Sequence, residues 1–220
     1  MKIAILGGTG REGSGLALRW AASGEEVIIG SRDVERAVAA AKRLTRLLPA
    51  TAVIRGASNQ QAAREADVAV LTVPYTAHVA VLMEVREALL DKLVIDATVP
   101  LDPHTHERLV PIRHNSALHE AQECLGPGVK VVAAFQNIGC DLLKDLQKAI
   151  ECDVLVCGDD PHARRVAATL VEKAGLRAVD AGSSRHAGTV EGLTSLLIEL
   201  KRRYKTKETG IRITGLQEHE

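Results

Sequence analysis

The sequence predicts an α/β protein, a Rossmann-type doubly wound mostly parallel sheet with a small C-terminal α/β lobe. Two observations carry this. Short β-branched apolar runs alternate with segments of helical periodicity along most of the chain, which is the rhythm of a parallel sheet with helices on its faces. Near-continuous runs such as Val68-Ala69-Val70-Leu71 suit strands covered on both sides.

In order, a strand at Lys2 to Leu6 leads to a helix near Gly13 to Ser23 and a strand at Glu26 to Ile29. A helix from about Asp33 to Leu48, a strand at Ala52 to Ile54, a short helix after Ser58 and a strand at Val68 to Val73 continue the alternation. A helix from roughly Thr76 to Leu90 and a strand at Leu93 to Ala97 come next, then an irregular stretch rich in histidine from Thr98 to Asn115. A loop this long in a compact domain points to function. A strand at Val129 to Phe135 closes the first domain, placed at residues 1–137.

The remainder, 138–220, reads as helix Cys140 to Ile150, strand Asp153 to Cys157, helix Pro161 to Ala174, strand Arg177 to Asp180 and a long helix from about His186 to Tyr204. Asp160 as N-cap with Pro161 at the first helical position marks a helix start. Val190, Leu193, Leu196, Leu197 and Leu200 form an apolar stripe, predicting core or the interface of a homodimer. The tail after Lys205 is expected to be loosely held.

Lys plus Arg equals Asp plus Glu at 28 each. No overall field gathers nucleic acid or a membrane surface, so a small-molecule partner is expected. The run Ile3 to Gly8 is far shorter than a signal core, and no segment reaches the ~18 apolar residues of a spanning helix. A cytoplasmic protein is expected. Cys124, Cys140, Cys152 and Cys157 have no metal or disulfide spacing and read as buried free thiols. Aromatics are 2% of residues, so a bound flat ring must rest on aliphatic and backbone surface.

Directly after the first strand, Gly7-Gly8-Thr9-Gly10-Arg11-Glu12-Gly13 contains GxGxxG at Gly8, Gly10 and Gly13. Gly8 permits the tight turn, Gly10 lets a pyrophosphate approach the backbone, and Gly13 lets the helix pack on the strand. The pyrophosphate then meets free N–H groups at a helix N-terminus. The second strand ends Gly30-Ser31-Arg32, without the carboxylate that would hold the ribose hydroxyls of NAD. Ser31 can donate to a 2′-phosphate, Arg32 can offer it a charge-assisted fork, and Arg36 lies one turn on. Asp33 reads as the next helix's N-cap. NADP is therefore the expected dinucleotide.

With Gly-Gly-Thr-Gly at 7–10, Gly-Ser-Arg at 30–32, Leu71-Thr72-Val73-Pro74 and Cys157-Gly158-Asp159-Asp160, the chain resembles the NADPH-dependent coenzyme F420 reductases from Met1 to about Leu200. The resemblance implies hydride transfer between NADP and the deazaflavin F420. It implies that Thr9 to Glu12, Ser31, Arg32 and Arg36 contact the adenosine phosphates, and that Val73, Pro74, Val99, Gln136 and Ile138 lie along the cofactor. One departure stands out. Characterised members carry a histidine near the nicotinamide, where this chain has Gln136 in Phe135-Gln136-Asn137-Ile138-Gly139. That leaves open another acceptor, an imine, a small carbonyl compound or a metal-ion partner, and also a non-catalytic NADP sensor.

Thr72-Val73-Pro74, Ala97-Thr98-Val99-Pro100 and Gln136-Asn137 all follow strands, where an open α/β sheet gathers ligands. Direct hydride transfer needs two rings held face to face with water excluded, and no metal or nucleophile. No catalytic side chain is therefore assigned. His104, His106, His114 and His119 lack zinc-site spacing and read as exposed or locally bonded, or as contacts to an anionic tail of the second substrate. Arg185 could likewise meet a phosphate, and Lys201-Arg202-Arg203 complements a helix C-terminus.

Overall fold

In the computed structural model the described residues are 1–105, 109–112 and 114–216. Strand β1 (Lys2–Leu6), helix α1 (Arg11–Ala22), β2 (Glu26–Ser31), α2 (Val34–Thr45), β3 (Ile54–Ser58), α3 (Asn59–Glu65) and β4 (Val68–Leu71) form the first half of the sheet. Then come α4 (His78–Val85), β5 (Leu93–Asp96), α5 (Ala117–Leu125), β6 (Lys130–Ala133), β7 (Asp153–Cys157), α6 (Pro161–Lys173), β8 (Arg177–Gly182) and α7 (Ala187–Arg203). The eight strands make one sheet in the order β3-β2-β1-β4-β5-β6-β7-β8. All pairs are parallel except β6–β7, which meet antiparallel at Ala133 and Cys157.

That exception has a local cause. The expected helix from Cys140 to Ile150 is replaced by a single 3-10 turn at Leu142–Lys144. Without a helical crossover the chain cannot come back parallel, and it reverses direction. The carbonyls freed by the missing helix are met by Arg19, which is buried on α1. Its guanidinium donates to Leu143 O at 3.0 Å, Leu142 O at 3.2 Å, Asp145 O at 2.8 Å and Ala174 O at 2.9 Å.

β3 lies later than the expected Ala52 to Ile54, because pairing with β2 sets its register from Val27–Ile54 to Ser31–Ser58. Gly56 is required there, since a Cβ would lie 2.3 Å from the backbone of α2. The Thr76 to Leu90 helix is broken into 3-10 turns on either side of α4. Helix α5, not anticipated from the periodicity, starts at Ser116, whose Oγ accepts from His119 N, and ends at Gly126 with φ +80°. Asp33 and Asp160 cap α2 and α6 as expected, accepting from Arg36 N and Ala163 N.

Each face of the sheet carries an apolar layer. On one, Trp20 and Phe135 meet edge-on at 5.7 Å, and the indole Nε1 donates to Leu170 O at 2.7 Å. The other gathers Leu71, Leu82, Leu89 and Leu118 beneath α3, α4 and α5. Cys152 and Cys157 are buried, while Cys124 and Cys140 are only half-buried, which corrects the expectation of four buried thiols. The tail also departs from expectation: Asp153 N donates to Ile211 O at 2.8 Å, and Ile213 N to Asp153 Oδ2 at 2.7 Å. Among the described residues no helix is long and apolar enough to cross a membrane.

Candidate active site

The glycine turn is built from β1 outward. Gly7 takes φ +73°, and Gly8 N donates to both Ile5 O and Gly30 O at 3.1 Å, tying the turn to β1 and β2. A Cβ on Gly8 would meet Ile5 O at 2.8 Å, and one on Gly13 would meet Thr72 Oγ1 at 2.5 Å and Gly8 Cα at 2.7 Å. These two glycines answer to the protein's own packing. Gly10 differs, since a Cβ there finds only Gly7 O at 3.7 Å. The space before it is open, and a side chain would fill that cradle. Gly10 is also the N-cap of α1 and supplies no side-chain acceptor, so the first-turn N–H groups face outward for an anion. Thr9 is half-buried in the same turn.

At the tip of β2, Ser31 is buried with its Oγ accepting from Asp33 N at 3.1 Å. Arg32 and Arg36 are exposed, and neither forms an ion pair among the described residues. Of the nearby carboxylates, Asp33 accepts from Arg36 N at 3.1 Å and Glu35 is exposed in the first turn of α2. The tip thus presents two guanidinium groups outside the main cleft.

That cleft, about 740 Å³, opens at the ends of β4, β5 and β6 and is closed outside by α7 and residues 207–209. It brings together Gly10, Arg11, Glu12, Val73, Pro74, Val99, Gln136 and Ile138 of the sequence-predicted set. Gly8, Thr9, Gly13, Ser31, Arg32 and Arg36 do not line it. Thr194, Leu197 and Ile198 of α7, together with Lys207 to Thr209, complete its walls.

Two features turn the end of β6 into the cleft. Phe135 holds φ +77°, a region disfavoured for a bulky side chain, kept there by full burial against Trp20. The chain then leaves the sheet, and Gln136 Nε2 donates to the Asp96 carbonyl at 2.7 Å. Since a carbonyl accepts only from the amide nitrogen, this orients the side chain; Gln136 Oε1 has no partner. Asn137 ties β6 to β7, donating to Asp153 O at 2.6 Å.

Beneath the cleft lies an ionic chain with no local signature in the sequence. Buried His78 bonds Asp96 Oδ2 at 2.8 Å through Nε2 and Glu120 Oε2 at 3.0 Å through Nδ1. Burial disfavours its charge, but the two carboxylates outweigh that and raise its pKa. Tyr75 donates to Glu120 at 3.2 Å, and its phenol is pushed up to about 12 by burial and that carboxylate. Glu12 in the first turn of α1 is pushed up to about 8 by burial and by nearby Asp96, and its Oε1 lacks a partner. Across the turn, Arg11 bonds both oxygens of Asp141 at 2.6 Å, bridging the glycine loop to the segment after β6.

The histidines are dispersed. His104 is exposed, His114 pairs with Glu123, and His119 bonds Ser116 Oγ at 2.5 Å and Ser184 Oγ at 3.2 Å; His106 lies outside the described residues. Arg185 and Lys201 are exposed, and only Lys201 borders the cleft.

Residues 2–100 match the family model described as NADP oxidoreductase coenzyme F420-dependent. The F420-dependent NADP reductase of Methanothermobacter marburgensis is 45% identical over 99% of this chain and all of that protein. Its counterpart in Methanocaldococcus jannaschii is 41% identical over the same shares. A crystal structure from Arthrobacter sp. FB24, solved as a candidate F420-dependent NADP-reductase, superposes with a TM-score of 0.83 at 29% identity, covering 98% of this chain and 100% of that one. The chain belongs to the family of F420-dependent NADP reductases.

Proposed function

We propose that the protein transfers a hydride between NADP(H) and coenzyme F420, with both rings held in the cleft between the strand ends and α7. One observation carries the reading: a single cleft runs from the open face of Gly10 to the ends of β4, β5 and β6. When bound, the nicotinamide and the deazaflavin supply the hydride donor and acceptor. The chain supplies position. Thr9 to Gly13 present the α1 N-terminus to the pyrophosphate, and Ser31, Arg32 and Arg36 take the 2′-phosphate. Val73, Pro74, Val99 and Ile138 give an aliphatic surface for the rings, and Gln136 a buried amide at their edge. Such a lining excludes water and holds two planes in reach of each other, which is what direct transfer requires.

On this reading residues 1–137 carry the dinucleotide and 138–220 complete the substrate side, as the lining from both segments supports. The balanced charge favours small-molecule partners over nucleic acid, in keeping with a cytoplasmic enzyme. In α7, Val190 and Leu197 are buried within the chain and Leu196 is exposed; Leu196 would sit in the homodimer interface, which sedimentation equilibrium tests. For the activity, purified protein mixed with NADPH and oxidised F420 should bleach the deazaflavin absorbance. No bleaching with F420, alongside turnover of an imine or carbonyl acceptor, would sink the assignment.

A further inference from the structure

The C-terminal tail is held more firmly than an exposed end needs. Asp153, buried at the start of β7, accepts from Ile213 N at 2.7 Å and Arg177 Nη1 at 3.2 Å, while its own N–H donates to Ile211 O at 2.8 Å. Thr209 Oγ1 donates to Leu197 O at 3.0 Å, and a Cβ on Gly210 would lie 2.5 Å from Cys152 Sγ. This seating makes residues 207–209 a wall of the cleft. Thr206 N donates back to Lys201 O at 3.2 Å, which ties the segment carrying Lys207 to the end of α7 at Lys201.

The charged groups of the lining are Arg11, Glu12, Asp141, Lys201, Lys207 and Glu208. Arg11 and Asp141 neutralise each other, and Glu208 is paired with Lys148. Nearby Arg203 is held by Glu199. Among the described residues Lys201 and Lys207 have no ion-pair partner, and both are exposed at the cleft's outer edge. Two free ammonium groups on a pinned wall of the cleft that also includes Gly10 form a second place for negative charge.

We propose that Lys201 and Lys207 form an anion subsite that takes the phosphate- and carboxylate-bearing side chain of the deazaflavin substrate, leaving the dinucleotide phosphates to α1 and the β2 tip. The inference rests on the F420 reading above. It makes the tail of the coenzyme, as well as its ring, a determinant of affinity.

The test compares F420 with its tail-free ribityl form, which has the same ring but no phosphate or glutamate. Wild-type enzyme should show a KM for F420 roughly tenfold below that for the tail-free form, as expected for one or two charge-assisted contacts. In the Lys201→Ala/Lys207→Ala double variant that advantage should disappear through a rise in KM for F420, with kcat and the KM for NADPH little changed. The wild-type advantage should also shrink with added salt. Lys205→Ala, just past the end of α7 and outside the cleft, should behave as wild type. An equal KM for both deazaflavins in wild type, or a double variant that raises only the KM for NADPH, would overturn the subsite. Reduction of neither deazaflavin would instead remove the functional reading, and the subsite with it.

Discussion

Gln136 Nε2 donates to the backbone carbonyl of Asp96 at 2.7 Å, joining the ends of β6 and β5 at the floor of the cleft. The same Asp96 carries His78 on its side chain, so the amide sits directly above the buried ionic chain. Replacing Gln136 with Leu removes one of two donors to that carbonyl, which keeps Ala134 N at 3.3 Å, a loss of about 0.5–1.5 kcal/mol. Urea unfolding should show that loss. Gln136→His, which keeps a ring N–H donor, should recover more of the F420 turnover than Gln136→Leu. Equal turnover in both variants would mean the amide position does not bear on the reaction.

Gly10 and Gly13 should separate binding from folding. Gly13→Ala forces its Cβ against Thr72 Oγ1 and the Gly8 backbone, an overpacking worth about 1–3 kcal/mol, so its melting temperature should drop. Gly10→Val has room for its Cβ, 3.7 Å from Gly7 O, and should melt less far below wild type than Gly13→Ala while losing NADPH and NADH alike. Retained dinucleotide affinity in Gly10→Val would contradict the cradle.

Arg32 is exposed beside buried Ser31, with the Asp33 carboxylate engaged by Arg36 N. Arg32→Ala should raise the KM for NADPH roughly 10- to 100-fold, the value of a charge-assisted fork to phosphate, and leave that for NADH nearly unchanged. Equal losses for the two cofactors would show that Arg32 does not read the 2′-phosphate.

Glu191 makes folding depend on pH. Its carboxyl is pushed up to about 8 by burial, against the pull of the Ala117 and Leu118 amides that it accepts. The folded state thus binds this proton more tightly than the unfolded chain, where a glutamate titrates near ~4.3. Its stabilisation is complete below that value and fades as pH rises through about 8. Glu12 and His78, both raised, act with the same sign. Glu191→Gln keeps an acceptor for one of the two amides and cannot titrate, so its melting temperature should fall less between about pH 5 and pH 8 than that of wild type. Parallel melting curves would show that Glu191 is not the titrating group.

Most strands were legible because each is an uninterrupted apolar run, and the caps at Asp33 and Asp160 were legible because a cap needs only its own next turn. β3 was misplaced because Arg55 and Gly56 carry no strand signal; pairing with β2 decides. In the site, the glycine turn and the Gly30-Ser31-Arg32 tip could be read from spacing. His78, Asp96 and Glu120 could not, since each is ordinary among its sequence neighbours and becomes a group only through contacts 18 and 42 residues apart.

The sequence by itself determined the alternating α/β order, the dinucleotide turn and the preference for a 2′-phosphate, because each depends on residues within a turn or a strand of one another. The tertiary structure decided the rest. The segment after β6 is irregular because Arg19, more than a hundred residues earlier, satisfies the carbonyls a helix would have satisfied internally. That irregularity reverses β7, and Asp153 at its start seats the tail that closes the cleft. Long-range hydrogen bonds to buried backbone carry no periodicity, so only the folded chain reveals them.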